Sequence, residues 1–148
     1  MTKHQMSQAT TCPVARSVEV IADRWALLIV RDAFDGVRRF GDFQQGLGVA
    51  RSVLANRLKS LVEAGIFQVQ PASDGTSYQE YVLTPQGQSL FPVVVALRQW
   101  GERYLFGPHE AHSQLVDTAT GQPLPLMQPV AVDGRTIAPE QARVNKVV

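Results

Sequence analysis

Cysteine is nearly absent from this 148-residue chain, in which Cys12 stands alone. That excludes an intramolecular disulfide framework, and with no ligand cluster around it a structural zinc site is not expected. Long apolar runs are also missing. The segment from Trp25 to Val30 is among the longest and falls far short of a bilayer span. Met1 to Thr11 is polar and lacks the apolar core of a secretory signal, so a cytoplasmic, non-membrane protein is expected. Net charge is small, at +1, so the whole-chain basic excess that usually accompanies nucleic-acid binding is not there. The sequence has no internal repeat, low-complexity tract, Gly-rich phosphate loop, carboxylate pair or metal-ligand spacing. Cys12 with His4, His109 or His112 could supply a nucleophile and a base, but these histidines lie in polar terminal segments. The expectation is therefore no enzyme, no catalytic residue, no cofactor and no metal.

What is present is a composition of 45% hydrophobic and 18% charged residues, enough for one globular domain with a sizeable core and a short extension. Charge is unevenly distributed. Between residues 31 and 59 the bases Arg31, Arg38, Arg39, Arg51, Arg57 and Lys59 face only Asp32, Asp35 and Asp42. A solvated helix face would look similar, so this local excess is compatible with phosphate binding without requiring it.

Helical spacing and punctuation divide the chain. Cys12-Pro13 starts a first helix with Val14, Val18 and Ile21 on one face. A dense apolar second helix runs from about Arg24 to Asp35 and ends at Gly36. Phe40, Phe43 and Leu47 define a short third helix, after which Gly46 and Gly48 permit a tight turn. A fourth helix, Arg51 to Ala64, places Leu54, Leu58, Leu61 and Val62 on one side and Ser52, Asn56, Lys59 and Glu63 on the other, with Gly65 beyond its end. One face packs and the other is free to read.

Ile66 to Gln70 and Glu80 to Leu83 predict two strands joined by Pro71 to Ser77, in which Asp74-Gly75 is a turn signal. Thr84-Pro85 then begins a long helix through Leu105 with a kink or break expected at Pro92. Its apolar residues, among them Leu97, Trp100 and Tyr104, occupy several faces. A homodimer is the simplest cover for them, with packing inside one subunit as the alternative.

From Pro108 the chain has five prolines and no aromatic residue, as expected of a partly ordered extension. Asp117 to Gly121 predicts a turn, and Val130 to Val132 with Arg135 to Ile137 a second hairpin closed by the two-residue turn Asp133-Gly134.

Five strings in order carry a family resemblance: Cys12-Pro13-Val14; Trp25 to Ile29; Arg38-Arg39-Phe40-Gly41-Asp42-Phe43; Leu54 to Leu61 with Glu63-Ala64-Gly65; and Tyr81 to Gly87. Together they make the chain, from about Cys12 to Gly107, resemble the HxlR family of bacterial transcriptional regulators. The resemblance implies a MarR-like winged helix, a homodimer and a pseudo-palindromic DNA operator. The expected fold class is α+β, mainly α: a winged helix-turn-helix with a two-stranded wing and a long C-terminal dimerisation helix over residues 12–107, then the extension 108–148.

In a helix-turn-helix the second helix enters the major groove, which places Arg51, Ser52, Ala55, Asn56 and Lys59 at base edges. Arg recognises guanine and Asn adenine in bidentate fashion, although Arg51 and Asn56 could also touch only phosphate or cap backbone. One of Arg38 and Arg39 is expected at a phosphate and the other could be structural, while Arg57 is expected either in an intramolecular ion pair or on DNA. Ser73, Thr76 and Ser77 could bond phosphate from a wing that carries Asp74 and no Lys or Arg. Cys12, at a helix N-terminus whose dipole favours thiolate, sits where the resemblance puts a sensor of oxidants or electrophiles. An inert cysteine is the alternative. A hydrophobic effector near Trp25 or Trp100, and a winged helix used only for protein contacts, remain open.

Overall fold

The computed structural model describes residues 10–148 and forms two compact units that meet in sequence at Phe91 and Pro92. The described part of the first opens with helices α1 (Pro13–Ile21), α2 (Arg24–Phe34), α3 (Phe40–Leu47) and α4 (Arg51–Glu63). The strands β1 (Phe67–Pro71) and β2 (Gln79–Leu83) follow, and the one-turn helix α5 (Pro85–Gln88) closes it. Helix α6 (Phe91–Tyr104) starts at the boundary, and from Pro92 it forms the second unit with the extension, which contains one 3₁₀ turn, Pro139–Gln141.

The core of the first unit is built by α2, α3, α4 and β1. Ile29, Phe43, Leu54 and Leu58 are fully buried there, with Val30, Leu61 and Phe67 nearly so. Leu54, Leu58 and Leu61 recur at the three- and four-residue spacing that aligns side chains on one helix face, which fixes the rotation of α4 and leaves its opposite face in solvent. Phe43 and Phe67 meet edge to face at 6.3 Å, joining α3 to the first strand. By contrast no residue of α1 is buried, and Val14 is 70% exposed.

Each boundary has a local cause. Asp23 caps α2, its Oδ1 accepting from the amides of Trp25 at 2.7 Å and Ala26 at 3.2 Å. Gly48 ends α3 in the left-handed region at φ 64°, whereas Gly46, expected to share that turn, is still helical. Only the residue just past the last turn needs the positive φ that glycine adopts without steric cost.

The strands pair antiparallel, Phe67 opposite Leu83 and Pro71 opposite Gln79; the first is shifted by one residue from the expected Ile66 to Gln70, and the second begins one residue earlier than expected. Asp74-Gly75 lies in the connecting loop, with Gly75 at φ 78°. The Thr84 hydroxyl caps α5 by accepting from the Gly87 amide at 3.0 Å and donates to the Gly65 carbonyl at 2.5 Å, with the Ile66 carbonyl at 3.2 Å. The single long helix expected from Thr84 breaks at Ser89 and Leu90, and Pro92 lies in the first turn of α6. There its missing N–H costs no helical bond and its ring meets no preceding turn.

In the second unit Val116 bridges Pro123 around Asp117 to Gly121, and Val130 bridges Thr136. The Ala131 amide donates to the Arg135 carbonyl and the Gly134 amide to the Ala131 carbonyl, with Gly134 at φ 89°. The tail hairpin thus turns through three residues, 132 to 134, rather than two, a type I turn followed by a left-handed glycine. Helix α6 holds the extension through Gln99, whose amide donates to the Pro125 carbonyl at 2.9 Å and accepts from the Met127 amide at 2.7 Å. Arg98 donates to the Ser113 carbonyl and hydroxyl.

Candidate nucleic-acid interface

Burying Leu54, Leu58 and Leu61 turns Arg51, Ser52, Ala55, Asn56 and Lys59 outward, and all five are exposed. Arg51, the first residue of α4, stacks its guanidinium over the Phe40 ring at 5.1 Å, a contact that restrains an otherwise free side chain. Among the described residues the side chains of Ser52, Asn56 and Lys59 have no hydrogen-bond or ion-pair partner. Arg57 differs: its Nε lies 2.7 Å from Asp23 Oδ2, an ion pair not aligned as a hydrogen bond. The ion-pair alternative for Arg57 is therefore the one observed.

The other expected residues gather at the wing. Arg39, at the start of α3, pairs with Asp74, reaches the Thr76 hydroxyl at 3.5 Å and lies over the Tyr78 ring at 5.1 Å. Arg38 pairs with Glu80 at 3.4 Å, while its backbone carbonyl accepts from the Tyr81 amide at 2.8 Å. Glu80 is buried, and its Oε1 accepts from both the amide and the hydroxyl of Ser73 at 3.2 Å. The Ser73 amide, helped by Arg38 and the Ser73 hydroxyl, holds the Glu80 carboxyl below the usual carboxylate range. The Thr76 amide, then the Thr76 hydroxyl and Arg39, do the same for Asp74. Both arginines and both wing hydroxyls are thus brought together, each already with a partner.

Sequence reasoning missed Asp23, Glu80 and the ionic role of Asp74. Asp23 carried a signal, an aspartate directly before a helix start. Asp74 was legible only as a turn residue, and nothing local distinguishes Glu80 from other strand positions.

Cys12 is exposed and is the N-cap of α1, its Sγ accepting from the Ala15 amide at 3.5 Å. A small cleft in the second unit, about 160 Å³, is lined in part by Arg98, Glu102, His112 and Leu115; neither Trp25 nor Trp100 lines it. Among the described residues no group of His, Cys, Asp and Glu could hold a metal, and no helix is long and apolar enough to cross a membrane. His4 lies outside the described residues.

An exposed polar face on the second helix of a helix-turn-helix, followed by a two-stranded wing, is a winged-helix arrangement, and the HxlR-like helix-turn-helix model matches residues 20–108. The chain belongs to the HxlR-like helix-turn-helix family. Within it the chain is 47% identical over 95 residues to the HTH-type transcriptional regulator Rv3095 of Mycobacterium tuberculosis, a match covering 64% of this chain and 60% of that relative. The chain thus spans about three-fifths of that relative's length. Among solved structures it is similar to PA1607, described as a proposed transcription factor, at 50% identity and TM-score 0.91, covering 99% of this chain and all of the other. The reduced form of the redox regulator HypR matches 62% of this chain and 92% of its own at 28% identity and TM-score 0.57. The HxlR-like winged helix here therefore carries an extension, residues 109–148, beyond the span of the family model.

Proposed function

We propose that the protein is a cytoplasmic, non-enzymatic transcriptional regulator that binds a pseudo-palindromic operator in double-stranded DNA as a homodimer, with α4 in the major groove. The observation that carries this reading is the exposed face of Arg51, Ser52, Asn56 and Lys59 backed by a buried leucine row. Each good bidentate contact from Arg51 or Asn56 contributes about 1–3 kcal/mol of base discrimination. Arg38, Arg39, Ser73 and Thr76 are the proposed phosphate-side residues. Residues 12–107 form the DNA-binding and dimerisation domain, and 108–148 an appended segment. Dimerisation is supported by exposed apolar side chains on α1, such as Val18, and on α6, such as Leu97 and Trp100.

A gel shift with duplex from upstream of the protein's own gene tests the DNA reading. Folded Arg51→Ala and Lys59→Ala variants should each bind more weakly. Wild-type affinity in both variants contradicts the assignment.

A second reading concerns the signal. Exposed Cys12 at the start of α1, together with the similarity to the redox regulator HypR, favours response to an oxidant or electrophile. With no second cysteine in the chain, oxidation would join two subunits or capture a small thiol.

A further inference from the structure

Non-specific affinity for DNA grows with the number of cations available to replace counterions on phosphates, whereas discrimination between sequences comes from base edges. On this surface the cations divide into two sets. Among the described residues neither Arg51 nor Lys59 on α4 has a carboxylate partner, and Arg51 rests on the Phe40 ring. Arg39, on the wing side, is held by Asp74 and rests on Tyr78. The Asp74 Oδ1 accepts from the Thr76 amide at 3.0 Å, so the orientation of the carboxylate is set by the turn itself. Both partners remain partly exposed, Arg39 by 32% and Asp74 by 49%, so the pair is formed at the surface and not in the core. The loop from Ala72 to Tyr78 holds no lysine or arginine to offset that carboxylate.

We propose that Asp74 is a specificity-determining residue of the DNA-binding surface. It acts through Arg39 as a positioning residue, tethering that cation so that it reaches phosphate only when α4 is seated on its own site and not on duplex of any sequence. This rests on the DNA-binding reading above.

Asp74→Asn keeps an oxygen for the Thr76 amide while removing the charge, and Asp74→Ser offers a second route should the first variant fold poorly. Wild type, Asp74→Asn, Arg39→Gln and the double variant are titrated with a random-sequence duplex and with the upstream duplex across a salt series. Asp74→Asn should bind the random duplex about 3- to 10-fold more tightly near 0.1 M salt, with a log–log salt slope steeper by about 1. Affinity for the upstream duplex should rise less, so the ratio between the two falls, and Arg39→Gln should abolish the gain. If wild type binds DNA and Asp74→Asn leaves both the random-duplex affinity and the salt slope unchanged, the role of Asp74 is overturned and the DNA reading survives. If neither protein binds any duplex, both fall.

Discussion

Asp23 joins two helices through its two carboxylate oxygens: Oδ1 caps the N-terminus of α2, and Oδ2 lies 2.7 Å from Arg57 Nε on α4. One side chain thus sets where the core helix begins and ties it to the helix whose outer face is exposed and polar. Removing it by Asp23→Ala should cost about 1–2 kcal/mol from the cap, with a little more from the part-exposed ion pair. Asp23→Asn retains a capping oxygen and should lose less. Urea denaturation of both variants checks the order.

Glycine 87 makes a sharper steric test. A Cβ there would come within 2.2 Å of the Ile66 carbonyl oxygen, so backbone must move, whereas one on Gly41 meets nothing within 4 Å. Gly87→Ala should destabilise by about 1–3 kcal/mol, while Gly41→Ala, in a helix at ordinary φ, should stabilise by about 0.4–1 kcal/mol. Thermal melts of the two variants should move in opposite directions.

The wing carboxylate Glu80 links stability to pH. Its folded pKa lies below the ordinary value of 4.5, first because the Ser73 amide bonds the ionised form. Its contribution is therefore fully present above 4.5 and is lost as pH falls through the lower folded value. Glu80→Gln should lower stability at neutral pH and narrow its gap to wild type under acid. Denaturant midpoints of the two proteins across that range read the effect.

For Cys12 the expected outcome is a change in DNA affinity when wild type is treated with peroxide, diamide or a quinone, absent in Cys12→Ser. An unchanged wild type removes the sensor reading and leaves DNA binding untouched.

The elements were legible where the signal is local. Leu54, Leu58 and Leu61 announce a packed helix face, Gly65 its end, Thr84-Pro85 the next start, and Pro92 an interruption. The ion pairs were not, because their partners are chosen by the fold: Arg39 and Asp74 are 35 residues apart, Arg38 and Glu80 42. Only the docking of the strands beside α3, fixed in part by the Tyr81 amide on the Arg38 carbonyl, brings them together. The same distance hides the true state of the candidate site. In the sequence one of Arg38 and Arg39 is expected at a phosphate and the other could be structural, yet in the fold both are already paired.

The central claim, that α4 reads duplex DNA, is tested most directly by affinity for the upstream duplex as a function of salt, followed by fluorescence anisotropy. Log affinity should fall linearly with log salt, by about 0.9 for each phosphate neutralised, and Lys59→Ala should flatten the slope by about 1 if that side chain meets phosphate. A wild-type protein that does not bind the duplex, or binds it with no dependence on salt, contradicts the account.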